Sequence, residues 1–222
     1  MTAAPAITAA APVSDLLAQA LATPPTVAAS YWLARMCIAE GIPGDFVECG
    51  VFCGAQCAAM ARAIMDAGDP TRKVHLFDSF QGIPRAGVHD NDIRPLVGAA
   101  RFWPEPSGVS EQNIERVHAH MRHWAIPPEL LVYHPGWFHD VVPTVDIGAI
   151  ALLRLDGDLY ESTKVCMEHL YPKLSVGGWC ITDDWGLDGA RKAVEEIVKV
   201  RHAYWQKQPD DERRLRGVNG CH

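Results

Sequence analysis

The feature of this sequence that most constrains its fold is a regular alternation of short apolar runs with helical patterns, beginning near residue 44. Segments in which apolar residues recur with helical spacing separate the runs. The five runs read DFVECG, KVHLFD, LLVYHPG, IALLRLDGD and GWCITDD. Apolar strands joined by helices in this way are typical of a parallel sheet that is covered on both faces. The sequence therefore predicts a doubly wound α/β fold.

This pattern divides the chain into an N-terminal part, residues 1–43, and a main domain, residues 44–222. The chain begins with MTAAPAITAAAP, which is uncharged and favours a loose arm that orders against a neighbouring subunit. The segment SDLLAQAL predicts a short helix capped by Ser14, and VAASYWLARMCIAEG predicts a longer helix that ends at Gly41. A terminal hairpin is the prediction for the polar tail QKQPDDERRLRGVNGCH.

Charge and composition exclude several classes of partner. The formal net charge of -7 gives the chain no general attraction for nucleic acid or for anionic lipid. No apolar run reaches the roughly 20 residues that span a bilayer. The basic start of a secretory signal is missing, because the first arginine is Arg35. We therefore expect a cytoplasmic protein whose seven cysteines are reduced thiols rather than a disulfide framework.

One connection, residues 81–110, is far longer than the usual loop and is rich in proline and glycine. It is either a disordered insertion or a lid, and the convergence of the neighbouring motifs on one sheet edge favours a lid over a site. Within it, Phe102 and Trp103 could stack on a sugar or an aromatic ring, or simply close the lid on the core.

Three cysteines, Cys49, Cys53 and Cys57, follow one another at four-residue spacing. A radical-chemistry iron–sulfur loop would need the third cysteine one residue earlier. Cys57 instead shares an apolar helical stripe with Met60 and Ile64. We interpret the thiols as small packing groups between a helix and the sheet.

The turn after the first strand is a candidate cofactor site. Glu48 ends the strand, and Gly50 and Gly54 precede a helix, which lets the backbone approach a ligand at a helix N-terminus. The turn lacks the full dinucleotide-binding spacing, and an ordinary strand-to-helix turn is the alternative. The next strand ends at Asp78, where an acidic residue can accept hydrogen bonds from a ribose diol. Together the two features favour an adenosine-containing ligand.

Carboxylates end the two later strands. If these strands are neighbours, Asp156, Asp183 and Asp184 converge, with Asp158 one turn beyond. Such carboxylates would repel one another, and a hard cation, Mg²⁺ before Ca²⁺ or Mn²⁺, would relieve the repulsion. The alternative is that they are solvated loop or cap residues. His139 follows the third strand at the same edge and is a candidate second base.

At these residues the sequence resembles the macrocin O-methyltransferase family, from about Gly44 to about Ala203. The motifs that carry the resemblance are GDFVECGVFCG, LFDSFQGIP, PGWFHDVVP, LLRLDGDLYEST, YPKLSVGGW and TDDWG. The resemblance implies the Rossmann-like class I methyltransferase sheet of seven strands, mostly parallel with a reversed final strand. It also implies use of S-adenosylmethionine and Mg²⁺, methylation of sugar hydroxyls, many of them on antibiotics, and a homodimer.

The resemblance also assigns site residues. It implies that the cofactor contacts Glu48, Gly50, Val51, Phe52, Gly54, Asp78, Ser79, Phe80, Gly136, Trp137, Phe138 and Asp156. It implies metal ligation by Asp156, Asp183 and Asp184, with Asp158 as the general base. The part before Gly44 and the lid show little family character, and these regions cover the acceptor in the family.

The predicted function is therefore Mg²⁺-dependent methylation of a hydroxyl on a sugar or another vicinal diol, with S-adenosylmethionine as donor. A catechol-like diol would satisfy the metal as well as a sugar would. Two alternatives belong to other classes: a glycosyltransferase that reads DGD as a metal-binding D-x-D motif, and a non-catalytic module that binds S-adenosylmethionine. A nicotinamide-dependent oxidoreductase fits less well, because a glycine is missing from the turn.

Overall fold

The computed structural model describes residues 13–206, with side chains described up to residue 199. Its centre is a parallel sheet in the order β5-β2-β1-β6-β7. The strands are β1 Asp45–Cys49, β2 Val74–Asp78, β5 Leu131–Pro135, β6 Ile150–Leu155 and β7 Leu174–Thr182. Each of the five apolar runs in the sequence forms one of these strands, so the predicted mostly parallel α/β fold is confirmed. All five strands of the described sheet are parallel, and the reversed final strand and the total of seven strands implied by the resemblance stay predictions. The tail for which we predicted the hairpin begins at Gln206 and, past that residue, lies outside the described residues, as does the arm at residues 1–12.

Helices cover both faces of this sheet. They are α1 Pro24–Ala39, α2 Ala55–Ala67, α3 Arg94–Val97, α4 Ile114–His123, α5 Phe138–Val141, α6 Tyr160–His169 and α7 Asp188–Gln206. Helices α1, α2 and α4 contribute to the apolar cluster on one face, and α6 and α7 to the cluster on the other. Within the described part of the chain, no helix is long and apolar enough to cross a membrane.

Local sequence explains where several helices begin and end. Helix α4 starts after Asn113, whose side chain accepts a hydrogen bond from the Arg116 N–H. Helix α1 ends with Gly41 in the left-handed region at φ 67°, as predicted. The prediction that Ser14 caps a helix is wrong: Val13 occupies the N-cap position of a three-residue 3₁₀ helix, Ser14–Leu16. Burial of Val13 and Leu16 fixes this turn, so the position of the serine does not set its start.

The three closely spaced cysteines are all buried, but they are divided between the two faces of the sheet. Cys53 and Cys57 pack in the cluster with α1 and α2, together with Met60 and Ile64. Cys49 points to the opposite face of the sheet and packs with Cys166 of α6. Alternate residues of a strand point to opposite faces of the sheet, so Cys49 lies on the face away from α2. The three thiols therefore do not converge on one point, and they are packing groups, as the sequence indicated.

The long connection between β2 and α4 is folded and packs against the segments that follow β6 and β7 at the carboxyl edge of the main sheet. It contains a small antiparallel sheet of β3 Ile83–Pro84 and β4 Pro106–Val109, together with helix α3. It has its own apolar cluster, built on the lid residues Ala86, Ile93 and Val97. We call residues 81–110 the lid.

Strand order sets the position of the site. The chain runs from β1 outward through β2 to β5, then crosses back to β6 on the other side of β1 and continues to β7, so the topological switch point lies between β1 and β6. In open parallel sheets, ligands bind in the crevice outside the carboxyl ends of the strands at this point. The turn after β1 and the aspartates after β6 therefore face the same crevice.

Candidate functional site

A cavity of about 310 Å³ opens at the carboxyl edge of the sheet, above the switch point. Its volume lies within the range of small-molecule sites. The turn after β1, the ends of β2, β6 and β7, the lid and α6 all contribute to its wall. Ala20, Leu21 and Ala22, which precede α1, also line it. The sequence thus brings residues from across the chain around one enclosed space.

The glycines of the turn after β1 leave space for other parts of the protein to pack closely against the backbone of the turn. A Cβ atom on Gly50 would lie 1.7 Å from the carbonyl oxygen of Asp156, and one on Gly54 would lie 2.5 Å from Met121 Cε. Both residues also have positive φ angles, 93° and 91°. The Asp156 N–H donates to the Cys49 carbonyl over 2.8 Å, so the loops after β1 and β6 are in direct contact. A side chain at Gly50 would separate the two halves of the site.

Asp78, the last residue of β2, organises this turn. Its Oδ2 accepts hydrogen bonds from the Val51 N–H at 2.7 Å and the Phe52 N–H at 3.2 Å. Its Oδ1 accepts from the Phe80 N–H at 2.7 Å. Burial raises the pKa of Asp78, and these backbone donors oppose that shift. The carboxylate therefore fixes the loop that faces the cavity and itself lines the cavity.

Positive φ angles on residues other than glycine cluster around the cavity. Phe52, Phe80, Ser110 and Asp158 adopt φ values between 46° and 59°. Three of them, Phe52, Ser110 and Asp158, line the cavity. Such backbone conformations are costly and occur where surrounding contacts enforce them, commonly at ligand sites.

Carboxylates from β6 and β7 meet on the other wall. Asp156, Asp183 and Asp184 each place an oxygen so that all three oxygens lie within 4.8 Å of one another. The Asp158 N–H donates to Asp184 Oδ2 over 2.9 Å, which holds the fourth aspartate against the cluster. Within residues 13–206, this is the one group of acidic, histidine or cysteine side chains with the geometry to hold a metal. Its all-oxygen donor set suits a hard cation such as Mg²⁺.

A buried arginine lies beneath this cluster. Arg154 of β6 is 1% exposed, and its Nη2 contacts Asp183 Oδ1 at 2.7 Å and Asp156 Oδ2 at 3.2 Å. Its Nε lies 3.3 Å from Oε1 of Glu48 on the neighbouring strand, and Cys57 Sγ donates to Glu48 Oε2 over 2.6 Å. The sequence analysis did not identify Arg154, although a lone charge inside the apolar run IALLRL was a usable signal.

Electrostatics distinguish these carboxyl groups from ordinary surface acids. Burial, followed by repulsion from Asp184 and Asp183, raises the pKa of Asp158 to about 7. Burial and the Asp184 charge also hold the pKa of Asp156 well above its usual range. Burial raises the pKa of Glu48 to about 7, against the attraction of Arg154. In the absence of a cation, the acidic wall is therefore under mutual repulsion.

Two amide side chains on the cavity wall were also missed by sequence analysis. The Ser30 hydroxyl donates to Gln56 Oε1 over 2.7 Å, and the Gln56 amide nitrogen is buried without a hydrogen-bond partner among the described residues. Oε1 of Gln112 is likewise buried and unpaired. Buried polar atoms without partners are costly, so both are suited to a ligand with hydrogen-bonding groups. A polar residue in the Ala-rich stretch of α2 signalled Gln56; nothing local signalled Gln112.

The structure brings most of the predicted site residues together. Those predicted for the cofactor that line the cavity are Glu48, Gly50, Val51, Phe52, Asp78, Ser79, Trp137, Phe138 and Asp156. Gly54, Phe80 and Gly136 lie behind this wall and shape it. The catalytic and metal candidates Asp158, His139, Asp183 and Asp184 also line the cavity. In the lid, Trp103 faces the cavity, whereas Phe102 is 64% exposed.

The doubly wound parallel sheet, with its ligand crevice at the switch point, defines an α/β methyltransferase fold. A solved structure of the O-methyltransferase NovP supports this assignment, with a TM-score of 0.74 and 31% identity. The similarity covers 83% of this chain and 75% of that one.

Residues 32–205 match the model of the macrocin O-methyltransferase (TylF) family, and the chain belongs to that family. The chain is 38% identical over 159 residues to 8-demethyl-8-(2,3-dimethoxy-alpha-L-rhamnosyl)-tetracenomycin-C 4'-O-methyltransferase of Streptomyces olivaceus. It is 42% identical over 161 residues to demethyldecarbamoylnovobiocin O-methyltransferase of Streptomyces niveus. Each match covers 72% of this chain but only 59% and 60% of the relatives, so the chain spans about three fifths of their length.

Proposed function

We propose that this protein transfers a methyl group from S-adenosylmethionine to a hydroxyl of a sugar, in an Mg²⁺-dependent reaction of natural-product biosynthesis. The observation that carries the proposal is the meeting of the β1 turn and the aspartate cluster in one cavity. A cofactor on the first wall and a metal on the second would then lie within reach of the same acceptor. Family membership and relatives named as O-methyltransferases support the reaction class.

The wall around the β1 turn fits S-adenosylmethionine. Its rigid loop is held by Asp78, and the unpaired amide groups of Gln56 and Gln112 offer one donor and one acceptor to a polar ligand. Trp137 and Phe138 supply aromatic surface next to the loop. The acidic lining favours a ligand that carries a sulfonium charge.

The acidic wall fits Mg²⁺. Asp156, Asp183 and Asp184 would be its ligands, and Arg154 supports two of them from below. The guanidinium and a divalent ion would offset the charge of the three ligand carboxylates, and Asp158 and Glu48, whose pKa values burial raises to about 7, add further negative charge when they ionise. A bound Mg²⁺ would lower the pKa of a coordinated acceptor hydroxyl.

The chain's own residues supply the remaining steps. Methyl transfer forms a carbon–oxygen bond as the carbon–sulfur bond of the donor breaks, and the attacking hydroxyl must lose its proton. Asp158 lines the cavity beside the cluster and would accept that proton. His139 also faces the cavity, with Nε2 3.0 Å from Asp140 Oδ1, and is the candidate second base. The lid would exclude water from the reacting atoms.

The acceptor is proposed as a sugar hydroxyl with a neighbouring hydroxyl. Two vicinal oxygens would satisfy the metal, and Trp103 of the lid lies where it could stack on a sugar ring. A catechol-like diol would offer the same pair of oxygens, so the acceptor panel must include both.

Calorimetric titration of the purified protein with S-adenosylmethionine, with and without Mg²⁺, tests the proposal. NADH and a nucleotide sugar serve as controls. We expect micromolar binding of S-adenosylmethionine, followed by methyl transfer to glycosides or diols from a labelled donor. The proposal fails if S-adenosylmethionine does not bind while either control does.

Two further expectations from the sequence, a cytoplasmic location and a homodimer, stay predictions. Sedimentation of the purified protein measures the second directly, and a monomer at micromolar concentration would contradict it.

A further inference from the structure

The lid makes hydrogen bonds and apolar contacts with the two loops that carry the acidic residues. Helix α6 begins two residues after Asp158, and helix α7 begins four residues after Asp184. Both helix N-termini are bonded to side chains of the lid. The path from β6 or β7 to its helix is therefore held at one end by the sheet and at the other by the lid.

Asp90 is the central contact. It is 1% exposed, and its Oδ1 accepts a hydrogen bond from the Tyr160 N–H, the first residue of α6, at 2.7 Å. The residue at the N-cap of α6 is Leu159, which provides no side-chain cap. An aspartate at a helix N-terminus stabilises the free N–H groups and the positive end of the helix dipole. The lid thus supplies from a distance the cap that α6 lacks in its own sequence.

The same carboxylate is wedged against α7. A Cβ atom on Gly189, in the first turn of α7, would lie 1.9 Å from Asp90 Oδ1. Only a glycine at this position lets the lid carboxylate enter between the two helices. Asp92 makes a second, exposed bond, in which its Oδ2 accepts from the Asp188 N–H at 2.7 Å.

Apolar contacts follow the polar ones. Leu159, next to Asp158, is fully buried in the apolar cluster of the lid. Leu187, three residues after Asp184, packs against that cluster. Each acidic loop therefore contributes one leucine to the core of the lid.

The geometry points to a second role for the lid: we propose that Asp90 and the lid core position the acidic loops, above all the Asp158 backbone. Asp158 has a φ of 59°, a conformation that needs external support. That support comes from its own N–H bond to Asp184 and from the Leu159–Tyr160 segment anchored by the lid. Asp90 is a positioning residue, since it does not line the cavity. The proposal rests on the proposed function for its catalytic consequence, but its structural part stands without it.

Three variants and one control test this role. Asp90→Ala removes the cap. Asp90→Asn retains one acceptor oxygen and should therefore disturb the start of α6 less than Asp90→Ala does. Gly189→Ala displaces Asp90 while leaving it in the sequence. The matched control is Glu105→Ala, because Glu105 pairs with Arg85 and with the Arg101 N–H, both inside the lid.

The first measurement is hydrogen–deuterium exchange of the full-length protein. Peptides covering residues 157–163 should exchange faster in Asp90→Ala and Gly189→Ala, and less so in Asp90→Asn. Peptides covering the β1 turn should be unchanged. If residues 157–163 keep the wild-type rate in both Asp90→Ala and Gly189→Ala, or if Glu105→Ala loosens them equally, the proposal is overturned.

The second measurement is turnover. A misplaced catalytic group costs about 10- to 100-fold in kcat, and we expect that loss in Asp90→Ala with less than threefold change in the Kd of S-adenosylmethionine. A wild-type kcat in that variant would overturn the catalytic part. If Asp90→Ala does not fold, kcat and the Kd of S-adenosylmethionine are compared with the wild type in Asp90→Asn and Gly189→Ala instead. If the wild type transfers no methyl group, the proposed function fails, and the exchange measurement still decides whether the lid positions the loops.

Discussion

The two walls of the cavity differ in how their buried carboxylates are stabilised. On the wall formed by β1 and β2, the Asp78 carboxylate accepts three backbone N–H bonds, which oppose the rise in its pKa that burial causes. On the wall formed by β6 and β7, four aspartates face one another above a single buried guanidinium, that of Arg154. The loop of the first wall is held by the protein's own hydrogen bonds, whereas the carboxylates of the second wall repel one another in the absence of a cation.

The difference shows how one fold can separate binding from chemistry. A loop that is already held by hydrogen bonds loses little conformational entropy when a ligand binds, which suits a cofactor that must be held in one orientation. Opposed carboxylates have high affinity for a divalent ion and keep a proton acceptor near it. The contact between Gly50 and Asp156 joins the walls, and Arg154 couples their charges, because it pairs with Glu48 as well as with Asp156 and Asp183. A substitution should nevertheless act mainly on the wall that carries it.

The largest effect is expected from Asp183→Ala. Loss of this proposed ligand would leave two aspartates for the metal, and the Arg154 guanidinium would lose its closest partner, at 2.7 Å. We expect methyl transfer to fall by about 10³-fold or more, with S-adenosylmethionine binding changed less than threefold.

Initial rates and calorimetry measure the two quantities in parallel. Asp146→Ala, at an exposed position in the loop before β6 and therefore at the opposite edge of the sheet, is the control and should retain activity. Wild-type turnover in Asp183→Ala would refute the metal assignment.

A smaller effect on the opposite wall is expected from Asp78→Asn. The amide retains one acceptor oxygen, so the Val51 and Phe52 N–H groups or the Phe80 N–H lose their partner. We expect the Kd of S-adenosylmethionine to rise by about 10- to 100-fold, which corresponds to one or two lost charge-assisted hydrogen bonds. Titration with Mg²⁺ should give the wild-type affinity. Equal losses of Mg²⁺ and cofactor affinity would show that the walls are not independent.

The repulsion on the acidic wall predicts a pH-dependent stability. The pKa of Asp158 is raised from its usual 3.8 to about 7, chiefly by burial and then by Asp184 and Asp183. Between these values the folded state holds a proton that the unfolded state releases, so without metal the stability falls as pH rises through this window. Asp158→Asn removes this penalty and suits the left-handed backbone, since asparagine tolerates a positive φ.

At pH 8 with a chelator, Asp158→Asn should unfold with a free energy about 1–2 kcal/mol larger than that of the wild type. This is less than the full shift would give, because the side chain is partly exposed. The gap should close toward pH 4, and urea denaturation at several pH values measures it. A gap that is independent of pH would exclude this origin.

The smallest effect is expected from Cys49→Ala. This thiol packs with Cys166 on the face of the sheet away from Cys53 and Cys57. Removing one buried sulfur should cost about 1 kcal/mol in stability, as small core deletions do. The affinities for S-adenosylmethionine and Mg²⁺ should not change. Iron in the purified protein, lost in this variant, would contradict the packing role.

Much of the site could be predicted because parallel strands end at a common edge. The aspartates after β6 and β7 and the turn after β1 each follow an apolar run, so the pattern alone placed them together. Arg154 was missed because periodicity treats an apolar strand as uniformly buried core. Gln112 was missed because it lies in a loop, where position depends on packing rather than on local pattern. Ser14 was misassigned because a cap preference is weaker than the burial of Val13 and Leu16.

The sequence by itself determined the α/β class, the five strands and the acidic and glycine-rich edge, since local periodicity and parallel pairing leave few alternatives. Tertiary structure alone decided that Arg154 pairs with the acidic wall from below and offsets part of its charge, and that Asp90 caps α6. Both contacts join residues from distant parts of the chain, so no local pattern encodes them. They form only in the completed fold, where the sheet and the lid bury Arg154 and Asp90 and a buried charge is costly unless it is paired or hydrogen-bonded.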